Sequence, residues 1–441
     1  MGAIATDPTN TEPFARLLHA ASRRPLIRRE ITPDMIPEGW DVQRTWAALM
    51  RVRGAQGFFT PYLVLTDTHH PECITVPASL QASLARIGSI TQHGSRLDTL
   101  VGAYQDCRFI TQQYIDEILT NLRLDGFPTD HETVRAVLVG EREPLGTAET
   151  ITHNFHEIMN ALGDYEGQAV SPALIRGMYD RLNVGIPQNV APIIDPTYPV
   201  NNYHDEFGMG ANPSLDRLLD VESQLARGEL TEAEMHPILL SMLVNCFFWR
   251  FSPFPRLNNF MGCIVSRLFL YQHGFPAFRY VPKAWLYTEW ARGNVADVIP
   301  YRFDEAVAAG DDFDDYTALY DSIMRLMLMS VESMAADLER RDHADHAAIA
   351  AIDAVPWLNM RQRQILREAI IKPDTTFHIK AHERRFGIAN STSRKDLADL
   401  RERGFLTLGY ESSAYVYRAS PNLRELLLAG TTAGRQAAGR A

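Results

Sequence analysis

The stretch FFWRFSPFPRLNNFMGCIVSR, Phe247 to Arg267, gathers polar groups in a short turn between two apolar helical runs. Ser252, Pro253, Phe254, Arg256, Asn258, Asn259 and Gly262 are its candidate functional residues. On residue types alone it is a proline-punctuated turn joining two core helices, because residues before proline are pushed out of helical geometry. A second segment, DEILTNLRLDGFPT, ends a helix at Gly126, a residue suited to a left-handed helix cap, with Asn121 and Asp125 just before it. His204 lies in a Pro-, Gly- and Asn-dense stretch from Asn183 to Pro213 and is the one loop histidine considered as a general base. No H-E-x-x-H or C-x-x-C spacing occurs, and Cys73, Cys107, Cys246 and Cys263 are scattered. His69 and His70 precede Pro71 in a turn, so no metal site is expected.

These residues need helices to hold them. Ile110, Tyr114, Ile118 and Leu122 recur at helical spacing. Ser171-Pro172 starts another helix, with Ile175, Met178, Tyr179 and Leu182 as its stripe. Thr231 to Glu234 has capping-box form and opens a helix carrying Ile238, Leu239, Met242, Leu243, Cys246 and Phe247 on one side. After the turn, Met261, Ile264, Val265, Leu268 and Phe269 phase a second helix that Gly274 closes. A further helix covers roughly 316–340. The exception is Phe58 to Thr66, which reads as a strand ahead of the turn at His69-His70.

The loop resembles the signature of the Fic family, H-P-F-x-[D/E]-G-N-G-R. Pro253, Phe254 and Asn258 match, and Gly262 matches a small residue that often follows. Ser252 stands for the family's histidine, Arg256 for its acidic residue, Leu257 and Asn259 for its glycines, and Phe260 for its arginine. The resemblance implies a Fido-fold helical bundle with a short β flap, in a mainly α chain. It also implies transfer of AMP from ATP with Mg²⁺, and here the substitutions remove each requirement. Ser252 cannot act as a base near neutral pH. Arg256 repels the metal ion. Leu257 and Asn259 place side chains where backbone N–H groups would close around a diphosphate, and Phe260 removes a cation. The family's inhibitory [S/T]-x-x-x-E-G helix is matched by Asn121, Asp125 and Gly126, and its flap by the stretch holding His204. The expected protein is a catalytically degenerate Fic-like module with no cofactor, ATP and Mg²⁺ included.

From Trp357 the pattern changes. Helices begin at Met360 and His378, Gly387 to Asn390 turn, and Ser391 or Ser393 caps a third helix with Leu397 and Leu400 inward. Phe405 to Leu408 and Ala414 to Arg418 form two strands about a turn at Gly409 to Ser413. This order resembles a winged helix-turn-helix, which one branch of the Fic family carries in the same position. In DNA-binding relatives the third helix enters the major groove. The residues so placed are Thr392, Ser393, Arg394 and Lys395, with Arg384 and Arg385 flanking and Asp396, Asp399 and Glu402 diluting the charge. Between Trp357 and Leu428 stand 13 Lys/Arg and 8 Asp/Glu, a balance of +5 in a chain of net charge −11. A basic block on an acidic body points to a nucleic-acid partner for that block.

Four parts are expected: a mixed N-terminal segment over 1–100, the Fic-like domain over 101–345, the winged helix over 356–428 and a tail over 429–441. The N-terminus lacks a signal-peptide pattern, and the longest apolar run, Ile238 to Trp249, is too short to span a bilayer. The expected setting is cytoplasmic, with no membrane partner and a homodimer admitted by the resemblance. DNA is the expected partner of the winged helix, and a protein or small ligand that of the Fido groove. Two other readings stay open: an active transferase of non-AMPylating chemistry, and a transcriptional regulator whose Fido-fold body is a sensor.

Overall fold

The computed structural model describes residues 8–60, 70–104, 112–168, 170–193, 236–284, 289–290, 292–302, 305–373, 375–411 and 414–429. His204, residues 231–235 and the distal part of the Phe58 strand lie outside the described residues; the helix carrying Ile238, expected to open at Thr231, begins at Pro237 with His236 at its N-cap. The chain is mainly helical and divides into two units, residues 1–98 with 110–334, and residues 99–109 with 335–441.

In the first unit, α1 (Glu12–Arg23) and α2 (Val42–Gln56) precede β1 (Phe58–Thr60) and β2 (Glu72–Ile74). β2 pairs antiparallel with β1 and parallel with β3 (Asp314–Asp315), so the N-terminal segment shares a sheet with residues far along the chain. Residues 1–98 group with residues 110–334 in this unit. Arg53 on α2 donates to Asp315 and to Leu26 O, a buried ion pair that fixes the sheet against α2.

Helices α3 (Ala78–Thr91), α4 (Arg96–Tyr104), α5 (Gln112–Leu124), α6 (His131–Leu138), α7 (Thr147–Asn160) and α8 (Pro172–Leu182) follow. Ser171 caps α8 as expected, accepting from Leu174 N at 3.2 Å. The central pair is α9 (Pro237–Phe251) and α10 (Asn258–Gln272). Most of the α10 side chains are buried, so this helix is wrapped by its neighbours on every side. The expected break between them falls at Ser252-Pro253.

The last long helix, α11, runs Thr317–Ala354, well beyond the expected end near Arg340. Its run of small residues after Arg341 supplies Ala348, Ala351 and Ile352 to the core of the second unit. That unit adds α12 (Met360–Ile371), α13 (Ile379–Phe386), α14 (Asn390–Glu402) and the hairpin β4 (Leu406–Glu411) and β5 (Ala414–Ala419). Phe377 bridges to Tyr417 on the outer edge of β5, a third strand position not foreseen from the sequence. Gly387 (φ 61°) ends α13 in the left-handed geometry that glycine adopts without cost. The N-cap of α14 is Ala389, not a serine. Among the described residues no helix is long and apolar enough to cross a membrane.

Candidate functional site

The α9–α10 loop is held by Phe254, Asn258 and Gly262. Asn258 braces the turn in both directions: Phe254 N donates to its Oδ1 at 3.0 Å, and its Nδ2 donates to Phe254 O at 2.8 Å. Phe254 stacks on Tyr179 with centroids 4.0 Å apart. A Cβ at Gly262 would sit 2.6 Å from Asn245 Oδ1 and 3.1 Å from Phe248 Cβ, so the close crossing of α9 and α10 needs glycine there. Ser252 (φ 41°) and Leu257 (φ 61°) are left-handed without being glycine. Each costs about 1–2 kcal/mol; at Leu257 the burial of its side chain offsets the strain.

The other polar residues of the loop reach its neighbours. Arg256 turns to the segment after α8, donating to Asn183 Oδ1 at 2.8 Å and to Pro187 O at 3.0 Å. The N-terminus of α10 meets Asp125, which follows α5. Its Oδ1 accepts from Asn259 N at 3.1 Å and Asn259 Nδ2 at 2.9 Å, and its Oδ2 accepts from Phe260 N at 3.1 Å. Backbone N–H groups at a helix start are an anion site, and an internal carboxylate fills it. Gly126 (φ 81°) lets the chain leave α5 at once. Its carbonyl accepts from Ile193 N at 2.7 Å, tying residues 192–193 across the same corner.

Burial pushes the Asp125 carboxyl up to about 6, and the hydrogen bonds from Asn259 and Phe260 pull against it. Its folded pKa then lies above the unfolded value near 4. The contribution of this group to stability is therefore fully present below pH 4 and lost as pH rises through 6. Relative to Asp125→Asn, which does not titrate, the wild type is expected to gain up to roughly 3 kcal/mol between pH 7 and 4. Urea unfolding of both proteins across that range measures it; a difference that stays flat with pH contradicts the assignment.

Asn121 is buried on α5, with its Nδ2 donating to Glu117 O at 3.0 Å and lying 3.5 Å from Cys263 Sγ. It belongs to a buried network centred on Glu117. Glu117 Oε1 pairs with Arg267 Nη2 at 2.7 Å, and Glu117 Oε2 accepts from Lys283 N and Ala284 N at 2.8 and 2.6 Å. The signal was present in the sequence, since Glu117 and Arg267 interrupt two apolar stripes.

In the second unit Arg384, Arg394 and Lys395 are exposed and Thr392 is half-buried. Arg385 pairs with Glu368. Ser393 is fully buried and donates to Ile379 O at 2.8 Å, so its hydroxyl fastens α14 to α13 and is unavailable to a duplex. Asp396, expected to dilute the basic face, is also buried. Among the described residues no group of three or more His, Cys, Asp or Glu side chains is placed to hold a metal ion.

No protein-family model matches the chain, and no curated protein does. Among solved structures the chain is similar to a Fic family protein from Desulfovibrio desulfuricans G20. The two are 15% identical with a TM-score of 0.40, over 79% of this chain and 97% of the other.

Proposed function

We propose that the first unit is a Fic-like scaffold whose phosphate cradle is closed by its own side chains, retained for binding and regulation instead of nucleotide transfer. The observation that carries this reading is Asp125, which takes the backbone N–H groups of Asn259 and Phe260 that a diphosphate would need. A phosphate brought to that point meets a carboxylate. Arg256 adds to the misfit: its guanidinium stands where the resemblance puts a magnesium ligand and is committed to Asn183 and Pro187. The residues present do not fit Mg²⁺-ATP.

The residues kept from the pattern shape the loop, and those lost are the ones that react. A chain selected for the shape alone keeps Pro253, Phe254, Asn258 and Gly262. Incubation with radiolabelled ATP and Mg²⁺, alone and with a lysate, is expected to leave no label on protein above a heat-killed control. Label that disappears on Phe254→Ala, which unseats the loop, would restore the transferase reading.

The second unit is proposed to be a winged helix that contacts DNA. Three helices followed by a hairpin, with Lys380, Arg384, Arg394 and Lys395 exposed on α13 and α14, support it. The chain would then be a regulator linking a non-transferring Fic-like body to DNA.

A further inference from the structure

The inward face of α14 is Ser393, Asp396, Leu397 and Leu400, all buried and spaced by three and four. Successive helix positions turn by about 100°. With Asp396 inward, Arg394 and Lys395 must point outward, and both are exposed. A carboxylate on an inward face costs several kcal/mol unless it is paired and hydrogen-bonded.

Asp396 is satisfied from two other helices. Asn359 Nδ2 at 2.8 Å, Arg361 Nε at 2.7 Å and Arg361 Nη2 at 3.2 Å donate to it from the start of α12. His382 Nε2 on α13 lies 3.1 Å from its Oδ2. Its main-chain carbonyl accepts from Gln362 Nε2 at 3.2 Å. Burial works against the charge, yet the bonds from Arg361, His382 and Asn359 prevail and hold the carboxyl below its ordinary range. The α13–α14 corner is closed further by Asn390 Nδ2 to Glu383 Oε2 at 3.0 Å and Arg394 Nε to Asn390 Oδ1 at 2.8 Å.

We propose that Asp396 is a positioning residue for duplex DNA: by fastening α12 and α13 to α14, it fixes the spacing of Lys380 and Arg384 relative to Arg394 and Lys395, so that all four meet one phosphate backbone together. The proposal rests on the DNA reading of this unit. Its distinctive feature is a sign. Replacing Asp396 by Asn removes a negative charge and releases Arg361, so a purely electrostatic role makes DNA binding tighter. A positioning role makes it weaker, because phosphates are then met one or two at a time.

The test uses the full chain and a fluorescent mixed-sequence duplex of about 20 base pairs, with affinity followed by anisotropy between about 50 and 200 mM salt. Four phosphate contacts give the wild type a slope of log affinity on log salt of roughly −3.6. Arg394→Ala with Lys395→Ala is expected to flatten that slope by about 2. Asp396→Asn is expected to flatten it similarly and to weaken binding about tenfold at low salt, in protein that circular dichroism shows to be folded. Arg361→Gln, which cuts the same tie from α12, is expected to act alike and serves if Asp396→Asn fails to fold. Loss of stability alone does not move a slope measured on folded protein. No retention of duplex by the wild type overturns the DNA reading and this proposal with it. A wild-type slope that depends on Arg394 and Lys395 but is unchanged or steeper in Asp396→Asn and Arg361→Gln overturns the positioning role alone.

Discussion

Glu117→Ala is expected to lower the free energy of unfolding by about 3–5 kcal/mol, because it leaves Arg267 charged in the core with no counter-ion. Both side chains are fully buried, 2.7 Å apart. Among the described residues Arg267 would keep only the carbonyls of Phe278 and Val281, at 3.2 and 2.8 Å. Its Nη1 already makes no hydrogen bond among the described residues. The same carboxylate receives Lys283 N and Ala284 N, so its loss also strands two donors of the segment after α10. Chemical denaturation measures the cost. A Glu117→Leu, Arg267→Met double variant should recover part of it, since it removes the unpaired charge but leaves the amides of Lys283 and Ala284 without their acceptor. A loss under about 1 kcal/mol in the single variant would mean that the pair is not the tie between α5 and α10 described above.

Gly126→Ala carries the second large effect, about 2–4 kcal/mol. The left-handed backbone (φ 81°) costs an alanine about 1–2 kcal/mol. Its Cβ would also lie 2.6 Å from Pro192 Cβ and 2.8 Å from Ile193 N, so residues 192–193 must retreat and give up the 2.7 Å bond to Gly126 O. Asp125 precedes this residue directly. Its hold on α10 should loosen, and the amides of Asn259 and Phe260 should exchange with solvent faster than in the wild type. A change below about 0.5 kcal/mol with unaltered exchange of those two amides would show that Gly126 does not set the Asp125 cap.

The helical architecture was legible because its signals are local. The stripes on α5, α8, α9 and α10, the Ser171 cap and the break at Pro253 follow from residues a few positions apart. The strand at Phe58 was legible, but its sheet was not, since β3 is two acidic residues, Asp314 and Asp315, and pairs with β2 across the chain. No pattern of alternating apolar residues marks it. The loop letters of the site were readable, but their partners were not. Arg256 could be read as a cation facing a metal position, while its actual bonds to Asn183 and Pro187 depend on how the segment after α8 folds back. Asp396 and Ser393 show the same limit in the second unit. Sequence type marks both as surface residues, and only the helix packing turns them inward.

The most direct test of the closed cradle is a calorimetric titration of the purified protein with ATP, GTP and CTP in the presence of Mg²⁺. The carboxylate of Asp125 on the N–H groups of Asn259 and Phe260 predicts no saturable heat at millimolar nucleotide. Micromolar binding of any of the three would contradict it, and the loop from Ser252 to Phe260 would then have to be a working phosphate site.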